Sequence, residues 1–293
     1  MMLLGKKKIT SILISLLIFC SSCSISVLST ERTDSIQIQP VTIMQWNIGH
    51  FSNGSKPYST ISDNDYKQKS EAYKELINLS NADIISTNEY SVLFSNTNCH
   101  RNCSADTLIF SSYNYKYIGN NGVSRHYSLN ALFSRIPFAS ESTNEYEINK
   151  QSRITHTSAI EAKDYYYISY RTNLLGNNTL LISTHLAFDN NNPELAILQI
   201  KELIEKCESE EFVIICGDFN TSASSFDLFA AAGYDMANHS DITGDLATFP
   251  ASSPTKPLDN ILAKGFRISN PRVIYTDLSD HIPMLCEIIP YEQ

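Results

Sequence analysis

Positive charge is scarce in this chain of 293 residues: 22 Lys and Arg stand against 31 Asp and Glu, for a formal net charge of −9. No dense Lys/Arg cluster occurs. Tight, sequence-blind binding to duplex nucleic acid by bulk attraction is therefore disfavoured. A metal ion held locally could still supply the positive charge that a phosphate needs. An apolar run long enough to cross a bilayer is also missing, because Ile9 to Phe19 is too short. Beyond residue 40 there is no linker, internal repeat or low-complexity tract. Cysteine is limited to seven residues, and no Cys pair or His-x-x-x-His accompanies the polar motifs described below, which argues against a zinc site.

The amino terminus has its own pattern. Lys6, Lys7 and Lys8 precede the short apolar run, and Ser21 and Ser22 precede Cys23. This reads as an export signal. The Ser-Cys junction resembles a bacterial lipoprotein signal, in which Cys23 is lipidated and becomes the mature N-terminus. A plain secretory signal or an uncleaved anchor is the alternative. The expected organisation is a signal peptide over 1–22, a polar tether over 23–40 and one domain over 41–291. Loss of 1–22 removes three Lys and no acid, taking the formal net charge from −9 to −12. The expected product is exported, lipid-anchored to a bacterial membrane, and monomeric. In that setting Cys99 and Cys103, in "NCHRNC", suit a small disulfide loop. A metal site with His100 would need a second Cys/His pair, which the neighbourhood lacks. Cys207, Cys216 and Cys286 lie in apolar stretches and read as buried thiols.

Strand patterns dominate the domain. Runs rich in β-branched and aromatic residues cover 41–46, 83–89, 129–135, 165–171, 179–186, 211–218, 258–264, 272–276 and 283–289. Three stretches read as helices: 66–80, 193–209 and 224–233, the last ending at Gly233. Several strands are continuous apolar runs, as expected of sheets covered on both faces. Many strands with a few helices imply two stacked sheets flanked by helices, an α/β sandwich.

Polar residues recur at the strand ends. "FVIICGDFN" stops its apolar run at Asp218 and Asn220, which lie two apart and share a side in extended geometry. Alone, this reads as an ordinary Asp/Asn turn. The pattern repeats at Asn47, Glu89, His185, Asp259 and the Asp280-His281 pair. Gathered at one end of a sandwich, these groups make a site for a hard divalent cation beside two histidines; carboxylate and amide oxygens suit Mg²⁺, Mn²⁺ or Ca²⁺. That combination is what phosphoester hydrolysis requires: charge neutralisation, an activated water and donors for developing negative charge.

The motifs "QWN", "NE", "THL", "GDFN", "LDNIL" and "SDHIP" occur in the order that resembles the endonuclease/exonuclease/phosphatase superfamily, over about residues 41–289. The resemblance implies a deoxyribonuclease I-like, four-layer α/β/β/α sandwich and metal-dependent phosphoester cleavage. It implies Glu89 as principal metal ligand with Asn47 and Asp280 nearby. Asp218 resembles the residue that aligns or activates water, and Asn220 the phosphate-holding amide. His281 resembles a histidine paired with Asp259, and His185 one that contacts the scissile phosphate. Which group is the base stays open. The superfamily often has Leu-Gln-Glu where this chain has Thr87-Asn88-Glu89, and a Gly where it has Leu129. His50 and Arg125 are candidate substrate contacts, although a solvated loop His is the commoner case. His100, His126, His156 and His239 read as surface groups. The substrate is a phosphodiester in a nuclease-like activity, or else a small phosphorylated metabolite or an inositol or lipid head group. A binding-only surface lipoprotein is the non-enzymatic alternative.

Overall fold

The computed structural model describes residues 39–51, 65–92, 104–119, 129–138, 167–187, 194–221, 223–239 and 246–291. The signal segment, the tether up to residue 38 with Cys23, the Cys99–Cys103 loop and Arg125 lie outside the described residues.

Each sheet is organised around a parallel pair joined through a helix. In the first, β1 (Val41–Asn47) leads through α1 (Asp65–Ser80) to β2 (Ile84–Tyr90). In the second, β6 (Asn177–His185) leads through α3 (Glu194–Lys206) to β7 (Val213–Asp218). A parallel pair needs such a crossover, and the helix must then cover one face of its sheet. Antiparallel neighbours complete both sheets. The first carries β3 (Tyr115–Ile118), β4 (Leu129–Ser134), β10 (Phe266–Val273) and β11 (Met284–Pro290), in the order β10-β11-β1-β2-β4-β3. The second carries β5 (Tyr167–Leu174), β8 (Asp235–Met236) and β9 (Asp259–Lys264), in the order β5-β6-β7-β9-β8. Two short helices, α2 (Ala105–Leu108) and α4 (Asp227–Ala231), add to the outer layers.

Three apolar clusters separate the four layers of this α/β/β/α sandwich. Met44, Trp46, Ile85 and Phe133 pack outward from the first sheet against Tyr73, Leu76 and Ile77 of α1. Ile182, Val213 and Ile215 pack outward from the second against Ile200 and Leu203 of α3 and Phe229 of α4. Ile43, Ile84 and Met284 meet Leu181, Ile214 and Ile261 between the sheets. The alternation of Val213 and Ile215 with Ile214 and Cys216 is the two-residue period of a strand covered on both faces.

The sequence reading needs three corrections. The strand expected over 272–276 instead runs from Phe266 to Val273. It is an edge strand with a mostly half-exposed, polar face and a bulge between Ser269 and Arg272, so its periodic signal is weak. The helix expected over 224–233 is a 3₁₀ turn, Ala223–Phe226, followed by α4. The expected elements also omit β3, β8 and α2, each of four residues or fewer.

Gly217 is required by close approach. A Cβ there would lie 2.3 Å from the Thr184 carbonyl oxygen of the neighbouring strand β6. Gly217→Ala is therefore expected to force β6 and β7 apart and to destabilise the fold by about 1–3 kcal/mol, the usual cost of overpacking. Chemical denaturation of the variant against the parent checks this; an unchanged midpoint would contradict it.

Candidate active site

Along the central strands that border the inter-sheet space, β1, β2, β4, β6, β7 and β9, polar residues take over from apolar ones on the inward face toward the same end. In β1 Ile43 gives way to Gln45 and Asn47, and in β2 Ile84 gives way to Ser86 and Asn88. In β6 Leu181 gives way to Ser183 and His185, and in β7 Cys216 gives way to Asp218. The antiparallel strands reverse the order, so Asn130 opens β4 and Asp259 opens β9. Register aligns the ends: Asn47 lies beside Asn88, and His185, Asp218 and Asp259 lie side by side. The site thus forms at the carboxyl ends of both parallel pairs, where α/β folds commonly place ligands.

The candidate side chains form one connected group. His281 Nδ1 is 2.8 Å from Asp259 Oδ2, and its Nε2 is 3.7 Å from Asp218 Oδ2. Asn47 Nδ2 donates to the same Asp218 oxygen at 2.9 Å and to Glu89 Oε1 at 3.4 Å. The Asn47 amide oxygen accepts from the Gly49 N–H at 3.1 Å. His185 Nε2 lies 3.6 Å from Asp218 Oδ2 and 3.0 Å from Asn220 Nδ2. His50 Nε2 reaches Glu89 Oε2 at 3.0 Å. Asp280 sits beside the group: the Ser279 hydroxyl, which donates to the Asn47 carbonyl at 2.8 Å, lies 3.2 Å from Asp280 Oδ1. Glu89 and Asn220 adopt left-handed backbone conformations, φ 50° and 48°. Glu89 does so where the β2–β4 register shifts. Left-handed backbone costs a residue with a Cβ, more so for Glu than for Asn, and here it places a functional side chain at the site.

Sequence reasoning missed the amides beneath this group. Asn88 Oδ1 accepts from the Asp218 N–H at 2.9 Å and from Gln45 Nε2 at 2.7 Å. Asn88 Nδ2 donates to the Thr184 carbonyl and to Asn130 Oδ1, both at 2.8 Å. Gln45 Nε2 also reaches Asp259 Oδ1 at 3.2 Å. Asn88 therefore ties the two sheets together next to Asp218, while Gln45 holds the far oxygen of the carboxylate that holds His281. The available signal was Gln45 and Asn130 on the inward face of otherwise apolar strands.

Charge is unevenly held. Burial opposes ionisation of His281, but Asp259 and Asp218 outweigh it and raise its pKa to about 10. At neutral pH it is an imidazolium between two carboxylates. Burial raises the pKa of Asp218 and the Asp259 charge adds to this, while His281, His185 and Asn47 oppose them; the net direction is up. Burial likewise disfavours ionised Glu89, yet the hydrogen bond from His50, the charges of His185 and His50, and Asn47 bring it down to about 2. Glu89 is thus an anion throughout the neutral range.

The donor set fits a hard divalent cation. Glu89 presents an ionised carboxylate, with the Asp280 carboxylate and the Asn47 amide nearby, and oxygen donors of this kind suit Mg²⁺, Mn²⁺ or Ca²⁺. Asp218, Asp259 and His281 also bring ligand atoms within 4.8 Å of one another and are a possible metal-binding group. His281 would have to give up its proton to join it.

Residues 44–281 match the Endonuclease/Exonuclease/phosphatase family. The chain belongs to that family. Members of the family are phosphoester hydrolases that generally use divalent metals, and this chain is an enzyme of that class. No curated protein matches it in sequence. Solved structures share its fold at low identity. Humanized D. rerio TDP2 is 14% identical over 85% of this chain and 99% of its own, with a TM-score of 0.60. A family protein from Bacteroides thetaiotaomicron is 15% identical over 85% and 98%, with a TM-score of 0.58. D. rerio TDP2 complexed with a single-strand DNA product is 14% identical over 86% and 99%, with a TM-score of 0.57.

The raised pKa of His281 makes stability pH-dependent. Its folded value of about 10 exceeds the ordinary 6.5, so its contribution is full below about pH 6.5 and is lost as pH rises toward 10. His281→Gln should therefore lose stability relative to the parent at pH 6, with the gap narrowing toward pH 10. Urea midpoints across that range measure it; a gap that stays constant would contradict the imidazolium assignment.

Proposed function

We propose that this enzyme is an exported, lipid-anchored phosphodiesterase dependent on a divalent metal, with nuclease-like chemistry. The observation that supports this best is the contact of His281, Asp259, Asp218, Asn47 and Glu89 in one group, with Asn220 and His185 beside it. When bound at Glu89, with Asn47 and Asp280 nearby, Mg²⁺ (or Mn²⁺ or Ca²⁺) would neutralise a phosphoryl or leaving-group oxygen.

The chain's own groups divide the remaining work. Asp218, whose pKa burial and the Asp259 charge raise, orients a water and accepts its proton. The Asp259-oriented His281 imidazolium faces the negative charge that develops on the phosphoryl oxygens. Asn220 and His185 stand together at the same face, Nδ2 to Nε2 3.0 Å, and are the groups assigned to hold the phosphoryl oxygens and to attend the leaving oxygen. The amide layer of Gln45 and Asn88 fixes Asp259 and the Asp218 backbone, and through Asp259 the His281 ring.

The location rests on the sequence: three Lys, a short apolar run and Ser21-Ser22-Cys23 are the marks of a lipoprotein signal. D. rerio TDP2, a similar fold, was crystallised with a single-strand DNA product, which favours a diester substrate here. The net charge of −9 favours a small or single-stranded diester over a long duplex.

Metal-loaded protein should hydrolyse bis-p-nitrophenyl phosphate. Chelation should abolish the activity, and His281→Ala should lower it by about a hundredfold or more. Release of inorganic phosphate from small monoesters in preference to diester cleavage would favour a phosphatase. Inertness toward both classes would overturn the enzymatic reading.

A further inference from the structure

We propose that His50 is the positioning residue for the metal ligand: its imidazole holds one oxygen of Glu89 and leaves the other to the divalent ion. The proposal rests on the metal-dependent reading of the same site and adds to it a residue that acts through Glu89.

The contact is delivered by a costly piece of backbone. β1 ends at Asn47, and the chain turns at once through the short 3₁₀ segment Gly49–Phe51. Each residue of that segment is left-handed, with φ 52°, 55° and 60°. Gly49 takes this conformation freely, but His50 and Phe51 hold it against their own Cβ atoms. Glu89, across the contact, is left-handed too, at φ 50°. Such backbone persists where its surroundings over-determine it, and it is a pointer to function. Phe51 is fully buried, its ring edge-on to Tyr73 at 5.2 Å and to Tyr90 at 5.7 Å. The Phe51 N–H donates to the Ile48 carbonyl, and the Ile48 N–H to the Asn88 carbonyl, both at 3.0 Å. The turn is thus fastened to β2 at the residue before Glu89.

Its product is an imidazole at a fixed place. The His50 side chain is 10% exposed and that of Glu89 26%, with Nε2 of the one 3.0 Å from Oε2 of the other. Nε2 donates to that oxygen. The second carboxylate oxygen, Oε1, meets Asn47 Nδ2 at a longer 3.4 Å. His50 is too confined to swing away when an ion arrives, and Oε1 is the oxygen held more weakly. A carboxylate ligand with one oxygen already hydrogen-bonded keeps its orientation and loses less freedom when the other takes the ion.

Binding of Mn²⁺ to the ion-free protein, followed by the EPR signal of the free ion, tests this without turnover. His50→Ala should weaken binding by about tenfold or more, the usual effect of removing a partner of a metal ligand. His50→Gln, whose amide N–H can reach the place of Nε2, should keep most of the affinity. His50→Asn separates positioning from folding, because Asn tolerates left-handed backbone but is too short to reach Oε2. Its urea midpoint should equal or exceed the parent's while its Mn²⁺ affinity falls as in His50→Ala. Affinity that follows the urea midpoint across the three variants would reduce His50 to a structural role and overturn the proposal. Unchanged or tighter binding in His50→Ala would do the same, the latter by showing that the imidazole only stands in the ion's place. So would a nitrogen coupling in pulsed EPR of bound Mn²⁺ that disappears in His50→Gln, since it would make His50 itself a ligand. Glu89→Gln tests the reading beneath. If it binds Mn²⁺ as tightly as the parent, or if the parent does not bind the ion, the metal assignment at Glu89 falls and this inference falls with it.

Discussion

The constraint on which this structure depends is a buried imidazolium held between two carboxylates. His281, Asp259 and Asp218 are all within a few per cent of full burial. Removing His281 would leave two buried carboxylates side by side without a cation between them, which is strongly unfavourable. The three come from distant parts of the chain, so the fold must deliver them together. The antiparallel pairing of β7 with β9 puts Asp218 directly beside Asp259. Trp46 Nε1 and Ser279 Oγ then fix the segment that carries His281 against β1, through the His281 and Asn47 carbonyls.

Stability and function are divided along the strands. The apolar inward residues and the two outer clusters supply burial, which is the main favourable term in folding. The polar ends spend some of it. Glu89 and Asn220 accept left-handed backbone, and Asp218 and Asp259 accept near-complete desolvation. Gln45, Asn88 and Asn130 limit that cost by giving the buried carboxylates and backbone groups partners that do not ionise.

Much of this could be read from the sequence, for identifiable reasons. The long strands announce themselves because inward and outward faces are both apolar, and α1 and α3 because each must cover one face of a sheet. Their polar termini stood out because carboxylates, amides and imidazoles are costly beside buried strands unless they serve a ligand or one another. The edge strand β10 was misplaced because a half-solvated edge lets Asn270, Pro271 and Arg272 break the alternation. Asn88 was noticed only as a departure from a common pattern, and Gln45 only as a letter in a motif. Their role lies in contacts across the two sheets, 130 and 214 residues away in sequence, which no local pattern encodes.

The central claim is that the polar strand ends of the two sheets work as a single catalytic unit. It is tested most directly by single-turnover hydrolysis of a diester with Asp218→Asn, with His281→Gln and with both substitutions. Groups that act as a unit lose most of their effect when either is removed. The double variant should therefore be about as slow as the slower single variant. Losses that multiply, so that the double variant is slower by the product of the two, would show independent contributions and contradict the claim.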